Sequence, residues 1–137
     1  MTRYLLDTNI ISEIHKPKPH GAVLAWFAAL RDEQVCLSAV TLYELQDGIE
    51  RTRKQDPEKA RAIEVWVDEV EHSTEVLPMD GRCFREAARM MARKQEDLFY
   101  DVMIAATARL YKLIVATRNE KDFRSLRVEI INPFKSN

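Results

Sequence analysis

The sequence predicts an α/β protein, a three-layer sandwich in which a mainly parallel sheet is flanked by helices. Three observations carry that expectation. Short apolar runs such as Tyr4-Leu5-Leu6 and Leu113-Ile114-Val115-Ala116 recur between longer segments of helical periodicity. Strands alternating with helices build a parallel sheet covered on both faces. No internal repeat, low-complexity tract or linker interrupts the pattern, and the chain holds only three glycines.

Each element has a local reason. Residues 3–6 read as the first strand, and residues 9–15 suit a short helix, stopped by Lys16-Pro17-Lys18-Pro19 because proline cannot continue the amide ladder. Ala22 to Leu30 is apolar almost all round, which predicts a helix buried on most faces. Gln34 to Leu37 is a short strand. Thr41-Leu42-Tyr43-Glu44 fits the capping-box pattern and opens a helix to about Lys54. Pro57 suits the first turn of the next helix, whose Ile63, Trp66, Val67 and Val70 recur at i, i+3, i+4 and i+7. Glu75 to Leu77 is another short strand. Asp80 is placed to N-cap a long helix with an apolar stripe at Phe84, Ala87, Ala88 and Met91. A further helix is expected from about Tyr100 to Tyr111, then strands at Leu113–Ala116 and Val128–Ile131.

Length and composition bound the rest. At 137 residues, the chain suits one compact domain, residues 1–137, with a single sizeable core. Apolar residues at 46% and charged residues at 31% are an ordinary soluble balance. The apolar stretches stop short of the roughly 18 residues that a membrane span requires. The first strand begins too soon to leave room for a signal peptide, so the expected location is the cytoplasm with no membrane partner. Cys36 and Cys83 sit in apolar patterns without metal-ligand spacing and are expected as buried free thiols in a reducing compartment. The net charge of −1 does not announce a nucleic-acid binder. A nuclease of this composition would work through local basic patches and metal-neutralised acids.

Open α/β sheets build their sites outside the carboxyl ends of the strands. Asp7 directly follows the first strand, and Glu44 lies early in the helix after the second. Asn119 and Asp122 follow the Leu113–Ala116 strand, and Asp101 opens the helix leading into it. Four acids and an amide from separate segments are therefore expected on one rim. Each has a local reading as well: Asp7 as an N-cap, Glu44 as the capping-box partner of Thr41, Asn119 and Asp122 as turn or cap residues. Asp101 is harder to explain locally, because it stands between Leu98-Phe99-Tyr100 and the apolar run that follows it. Clustered carboxylates repel and take up protons unless a cation neutralises them. Hard oxygen donors suit Mg²⁺ or Mn²⁺, and the absence of His or Cys from the cluster disfavours zinc.

The order and spacing of these segments carry a resemblance. DTNIIS at the start, SAVTLYELQDGI in the middle, and the later D-x-x-IAATA followed by LIVATRN-x-x-DF are similar to the PIN-domain ribonucleases. Among these, the similarity is to the VapC-type toxins of bacterial toxin–antitoxin pairs, including the FitB-like branch, and it spans essentially the whole chain. The resemblance implies a metal-dependent endoribonuclease that binds one or two Mg²⁺ or Mn²⁺ ions and cuts RNA with a metal-activated water. Carried across, the acids are Asp7, Glu44 and Asp101, with Asp122 as the fourth carboxylate and Asn119 as a neutral ligand or water-holder. The fourth acid falls at either of those last two positions in different members. Asn9, Thr8 and Thr117 would line the pocket, and Ser38, Thr41 and Asn119 would orient the water. Arg118 and Arg51 are candidates to meet phosphate. Arg82, Arg85, Arg89 and Arg93 form a basic stripe, for which a solvated helix face is the simpler reading. An antitoxin protein and a second copy of the chain are the implied partners, with Trp26 and Phe27 as interface candidates that serve a core equally well.

Three other readings compete. Haloacid-dehalogenase-like phosphatases also place an aspartate after their first strand but want a second at the position of Asn9, and receiver domains want paired acids there. A PIN-like module that binds RNA or protein without catalysis is the non-enzymatic alternative, and metal binding separates it from a nuclease.

Overall fold

The structure, a computed structural model, describes residues 1–92 and 96–135. Five strands, β1 (Tyr4–Leu6), β2 (Val35–Ser38), β3 (Glu75–Leu77), β4 (Ile114–Ala116) and β5 (Ile130–Ile131), form one sheet in the order β3-β2-β1-β4-β5. All four pairings are parallel, and Leu5 is in register with Cys36 on one side and Val115 on the other. The expected α/β class and parallel sheet are both present.

Successive strand side chains point to opposite faces. Leu5, Cys36 and Val115 accordingly enter one core with α5 (Gly81–Met91), α6 (Phe99–Tyr111) and α7 (Glu120–Ser125). Leu6, Leu37 and Ala116 enter the other, with α1 (Thr8–His15) and α2 (Gly21–Ala28). The hairpin of α3 (Ala39–Arg53) and α4 (Pro57–Ser73) adds a smaller cluster at Ile49, Ala60 and Val67. Helix α6 is the most enclosed, with every residue from Val102 to Ala108 buried. Its Ala105, Ala106 and Ala108 allow the close backbone approach that a covered sheet demands.

The local signals at helix starts mostly hold. Asp56 accepts from the Lys59 amide with Pro57 in the first turn, and Asp80 accepts from the Cys83 amide. Both cysteines are free and buried. Among the described residues, no helix is long and apolar enough to cross a membrane.

Several expectations are corrected. Helix α3 begins at Ala39, capped by Ser38, whose hydroxyl accepts from the Val40 amide. Thr41 and Glu44 therefore form no capping box, and the buried Thr41 hydroxyl has no hydrogen-bond partner among the described residues. Helix α2 buries only Val23, while Leu24 is 45% exposed. Trp26 and Phe27 are half-buried against the core, with Trp26 edge-on to Tyr4 at 5.1 Å. On α5 the inward positions are Cys83 and Ala87, whereas Phe84 is 52% exposed. Gln34 lies in a 3-10 turn before β2, held through its side chain to the Arg31 amide and the Thr2 carbonyl. Strand β5 is only two residues long. Residues 120–125 form a helix, α7, that the sequence did not announce. Of the basic stripe, Arg93 lies outside the described residues.

Helix α7 is fastened by Phe123 within it and Leu126 at its C-terminal cap. Phe123 is fully buried in the α5–α6 core, so Phe123→Ala is expected to cost about 3–5 kcal/mol, measured by urea unfolding.

Candidate active site

Asp7 is the first residue beyond β1. Its amide donates to the Ala116 carbonyl at 2.9 Å, continuing the β1–β4 pairing by one step. Its side chain then caps α1: Oδ1 accepts from the Thr8 amide at 2.7 Å. Oδ2 accepts from Asn9 Nδ2 at 3.0 Å and from the Thr117 hydroxyl at 2.7 Å. The capping role and the site role thus coexist in one carboxylate. Burial raises its pKa, and the bonds from Thr117, Thr8 and Asn9 hold the rise in check.

The other acids assemble around it. Glu44 on α3 accepts from the Thr8 hydroxyl at 2.8 Å, and its pKa is raised by burial and then by the charge of Asp7. Asp101, in the first turn of α6, accepts from Asn119 Nδ2 at 3.0 Å. Asp122 on α7 accepts from the same nitrogen at 2.9 Å. One amide therefore bridges two carboxylates and keeps them apart. Asn119 is itself set by its backbone N–H, which donates to the Thr117 hydroxyl at 2.9 Å. The Asp101 carboxyl is pushed up to about 7, by burial first and then by the charges of Asp7, Asp122 and Glu44. The four acids expected from separate segments thus share one electrostatic neighbourhood.

Among the described residues, no Lys, Arg or His forms an ion pair with any of the four. All their hydrogen-bond donors named above are neutral. Nor does any group of three or more Asp, Glu, His or Cys form a ready-made metal cage among those residues. The donor set instead fits a hard divalent ion that keeps several waters and takes one or two carboxylates. The high proton affinity of Asp101 marks negative charge that a cation would relieve.

Other expected residues divide. Asn9 joins the site and also accepts, through Oδ1, from the Arg118 amide at 3.3 Å. Ser38 is not free to orient water, since its hydroxyl caps α3 and bonds Thr107 at 3.0 Å in the core. Thr41 is likewise buried away from a water-holding role. Arg51 is paired with Asp47 at 2.6 Å rather than turned to the acids. On α5, Arg89 pairs with Glu86 and Arg82 lies over the Tyr111 ring, in keeping with an outward helix face. Arg118 is exposed, with its guanidinium 4.5 Å from the centre of the Phe134 ring. Sequence reasoning missed Phe134 and the Tyr43–Tyr100 ring pair, 5.9 Å apart, whose members adjoin Glu44 and Asp101 in the chain. That adjacency was the available signal.

The family profile for the PIN domain matches residues 4–129. The chain belongs to the PIN-domain family. It is 34% identical over 142 residues to the VapC ribonuclease Y4jK of Sinorhizobium fredii, with 96% of this chain and 97% of the relative covered. It is 33% identical over 140 residues to the toxin FitB of Neisseria gonorrhoeae, with 95% and 97% covered. The crystal structure of FitAcB from Neisseria gonorrhoeae superposes with a TM-score of 0.84 at 32% identity, covering 96% of this chain and 98% of that one. The expected resemblance and the PIN-like fold are both upheld.

The Asp101 geometry sets a pH dependence in the metal-free protein. A carboxyl with a raised folded pKa binds its proton more tightly folded than unfolded, so its stabilising effect is complete below the unfolded value and is lost as pH rises. The window runs from the ordinary 3.8 to about 7. Thermal melts of the wild type and Asp101→Asn should therefore diverge in favour of the variant between those limits, and the gap should be constant above them. Added Mg²⁺ should narrow it.

Proposed function

We propose that this chain is a divalent-metal-dependent ribonuclease that acts as the toxin of a toxin–antitoxin pair in the cytoplasm. The observation that carries this is the unneutralised carboxylate cluster at the carboxyl edge of the sheet: four acids with no ion-paired cation among the described residues, and a proton affinity at Asp101 raised by burial first and then by the other three. The names of the relatives, a ribonuclease and a toxin, support the same reading.

Asp7 and Asp101 are the direct metal ligands in this reading, and Glu44 and Asp122 complete the charge directly or through water. Asn119 serves as a neutral spacer and Asp122 as the fourth carboxylate. Asn9 and Thr117 hold Asp7, and Thr8 holds Glu44, so that the acids keep their separation when a phosphate arrives. Mg²⁺ or Mn²⁺ bound there would supply the positive charge that brings an RNA phosphate onto this rim and makes water a competent nucleophile at neutral pH. A carboxylate of the cluster that the metal leaves free would take the proton of the attacking water.

Partners follow from surface chemistry. Tyr43, Phe84 and Phe99, which are 63%, 52% and 48% exposed, line an apolar groove of about 590 Å³ with Val40, Met79 and Met103. A second copy of this chain is assigned to that face, rather than to Trp26 and Phe27, which the core already uses. The antitoxin is assigned to the acid rim, where a basic side chain would neutralise the cluster.

Purified, antitoxin-free protein should cleave a mixed RNA pool with Mg²⁺ or Mn²⁺ and lose that activity in EDTA. Asp7→Asn and Asp101→Asn should each lower the rate by at least about a hundredfold, with calorimetry showing weaker Mn²⁺ binding. A folded wild type inert under both metals would defeat the assignment. Separately, Phe84→Glu combined with Phe99→Glu should convert a sedimenting dimer into a monomer.

A further inference from the structure

We propose that Arg118, braced on the ring of Phe134, grips an RNA phosphate flanking the one that is cut and so sets the register of the strand across the acids. This rests on the ribonuclease reading above and adds the residue that positions the substrate. Three observations carry it. First, Arg118 sits between Thr117 and Asn119, the two residues that bind Asp7, Asp101 and Asp122, and its own amide is tied to Asn9, which binds Asp7. Its backbone is therefore fixed to the site.

Second, its guanidinium makes no ion pair among the described residues, although the rim beside it is acidic. Arg51, Arg53, Arg89, Arg109 and Arg124, by contrast, are each paired with a carboxylate. The aromatic face holds the Arg118 cation at 4.5 Å by cation–π attraction, and its N–H edges meet no acceptor among the described residues. A planar fork of unused donors matches the oxygens of a phosphate.

Third, the brace is prepared in advance. Phe134 lies in a turn closed by its amide donating to Asn132 Oδ1 at 3.0 Å and by the Lys135 amide donating to the Asn132 carbonyl at 3.1 Å. Asn132 Nδ2 in turn donates to Glu120 at the start of α7 at 2.9 Å. The His20 ring packs against the Phe134 ring, with centroids 5.0 Å apart. The arginine thus loses little freedom when it meets its ligand, which is what a register-setting contact requires.

The test uses a short single-stranded RNA spanning one cut mapped with the wild type, bound to full-length protein in an Asp7→Asn background that prevents cleavage. Fluorescence anisotropy across a salt series is expected to show Arg118→Ala binding about tenfold more weakly, with the log–log salt slope reduced by roughly 0.7, one phosphate contact on a single strand. Phe134→Leu, which keeps an apolar side chain in the turn, should weaken binding several-fold and leave the slope intact. Replacing phosphates one at a time by methylphosphonate should reveal a single position beside the cut where wild-type-Arg118 protein loses affinity and Arg118→Ala does not. With Asp7 restored, KM should rise in Arg118→Ala with kcat little changed.

If the wild type cuts RNA but Arg118→Ala binds with the same affinity and slope, or keeps the same methylphosphonate sensitivity, this inference is overturned while the nuclease stands. The same holds if Arg118→Ala weakens only an acidic protein partner. A wild type that neither cuts nor binds single-stranded RNA overturns both.

Discussion

Mutual repulsion among four carboxylates is the constraint around which this protein is organised. Asp7, Glu44, Asp101 and Asp122 come from four different elements, and a parallel sheet collects them by delivering successive strand ends to one rim. A neighbouring lysine or arginine would offset the charge of such a cluster. Here the donors are Thr8, Asn9, Thr117 and Asn119, whose bonds fix position without cancelling charge. The rim is therefore held in shape while its negative potential stays available to a cation.

The arrangement explains why the core is divided as it is. Central strand β1 buries Leu5 on one face and Leu6 on the other, so the residue that follows can only emerge at the edge between the two layers. Asp7 emerges there and caps α1 at the same time. Helix α6 brings Asp101 in by packing alanines against the sheet, and α7 brings Asp122 in by anchoring Phe123. Packing that looks purely structural is what sets the separations among the acids.

Much of this was legible in the chain. The first strand announces itself by an apolar run that stops at a polar triplet, and Asp56-Pro57 and Asp80 mark helix starts by local chemistry alone. The acids were legible because each follows or precedes a strand-like run. What escaped depended on distant partners. Ser38 and Thr41 both qualify as N-caps, and the choice fell to Ser38 while Glu44 was drawn to Thr8, 36 residues away. Helix α7 holds together through Phe123 and Leu126 in the core, two anchors too few to show a period. The alanine-rich α2 and the Phe84 stripe are apolar whether or not anything covers them, so composition alone could not separate core from surface. The bridge made by Asn119 between Asp101 and Asp122 exists only once α6 and α7 meet.

The bond from Thr117 to Asp7 spans 110 positions of the chain. Closing so long a loop costs entropy that only the assembled sheet can offset, because β4 must already lie beside β1. A fragment that lacks β4 therefore loses the bond from Thr117 that holds Asp7. The mutual placement of the acids is thus a property of the assembled sheet and reports on the pairing of β4 with β1.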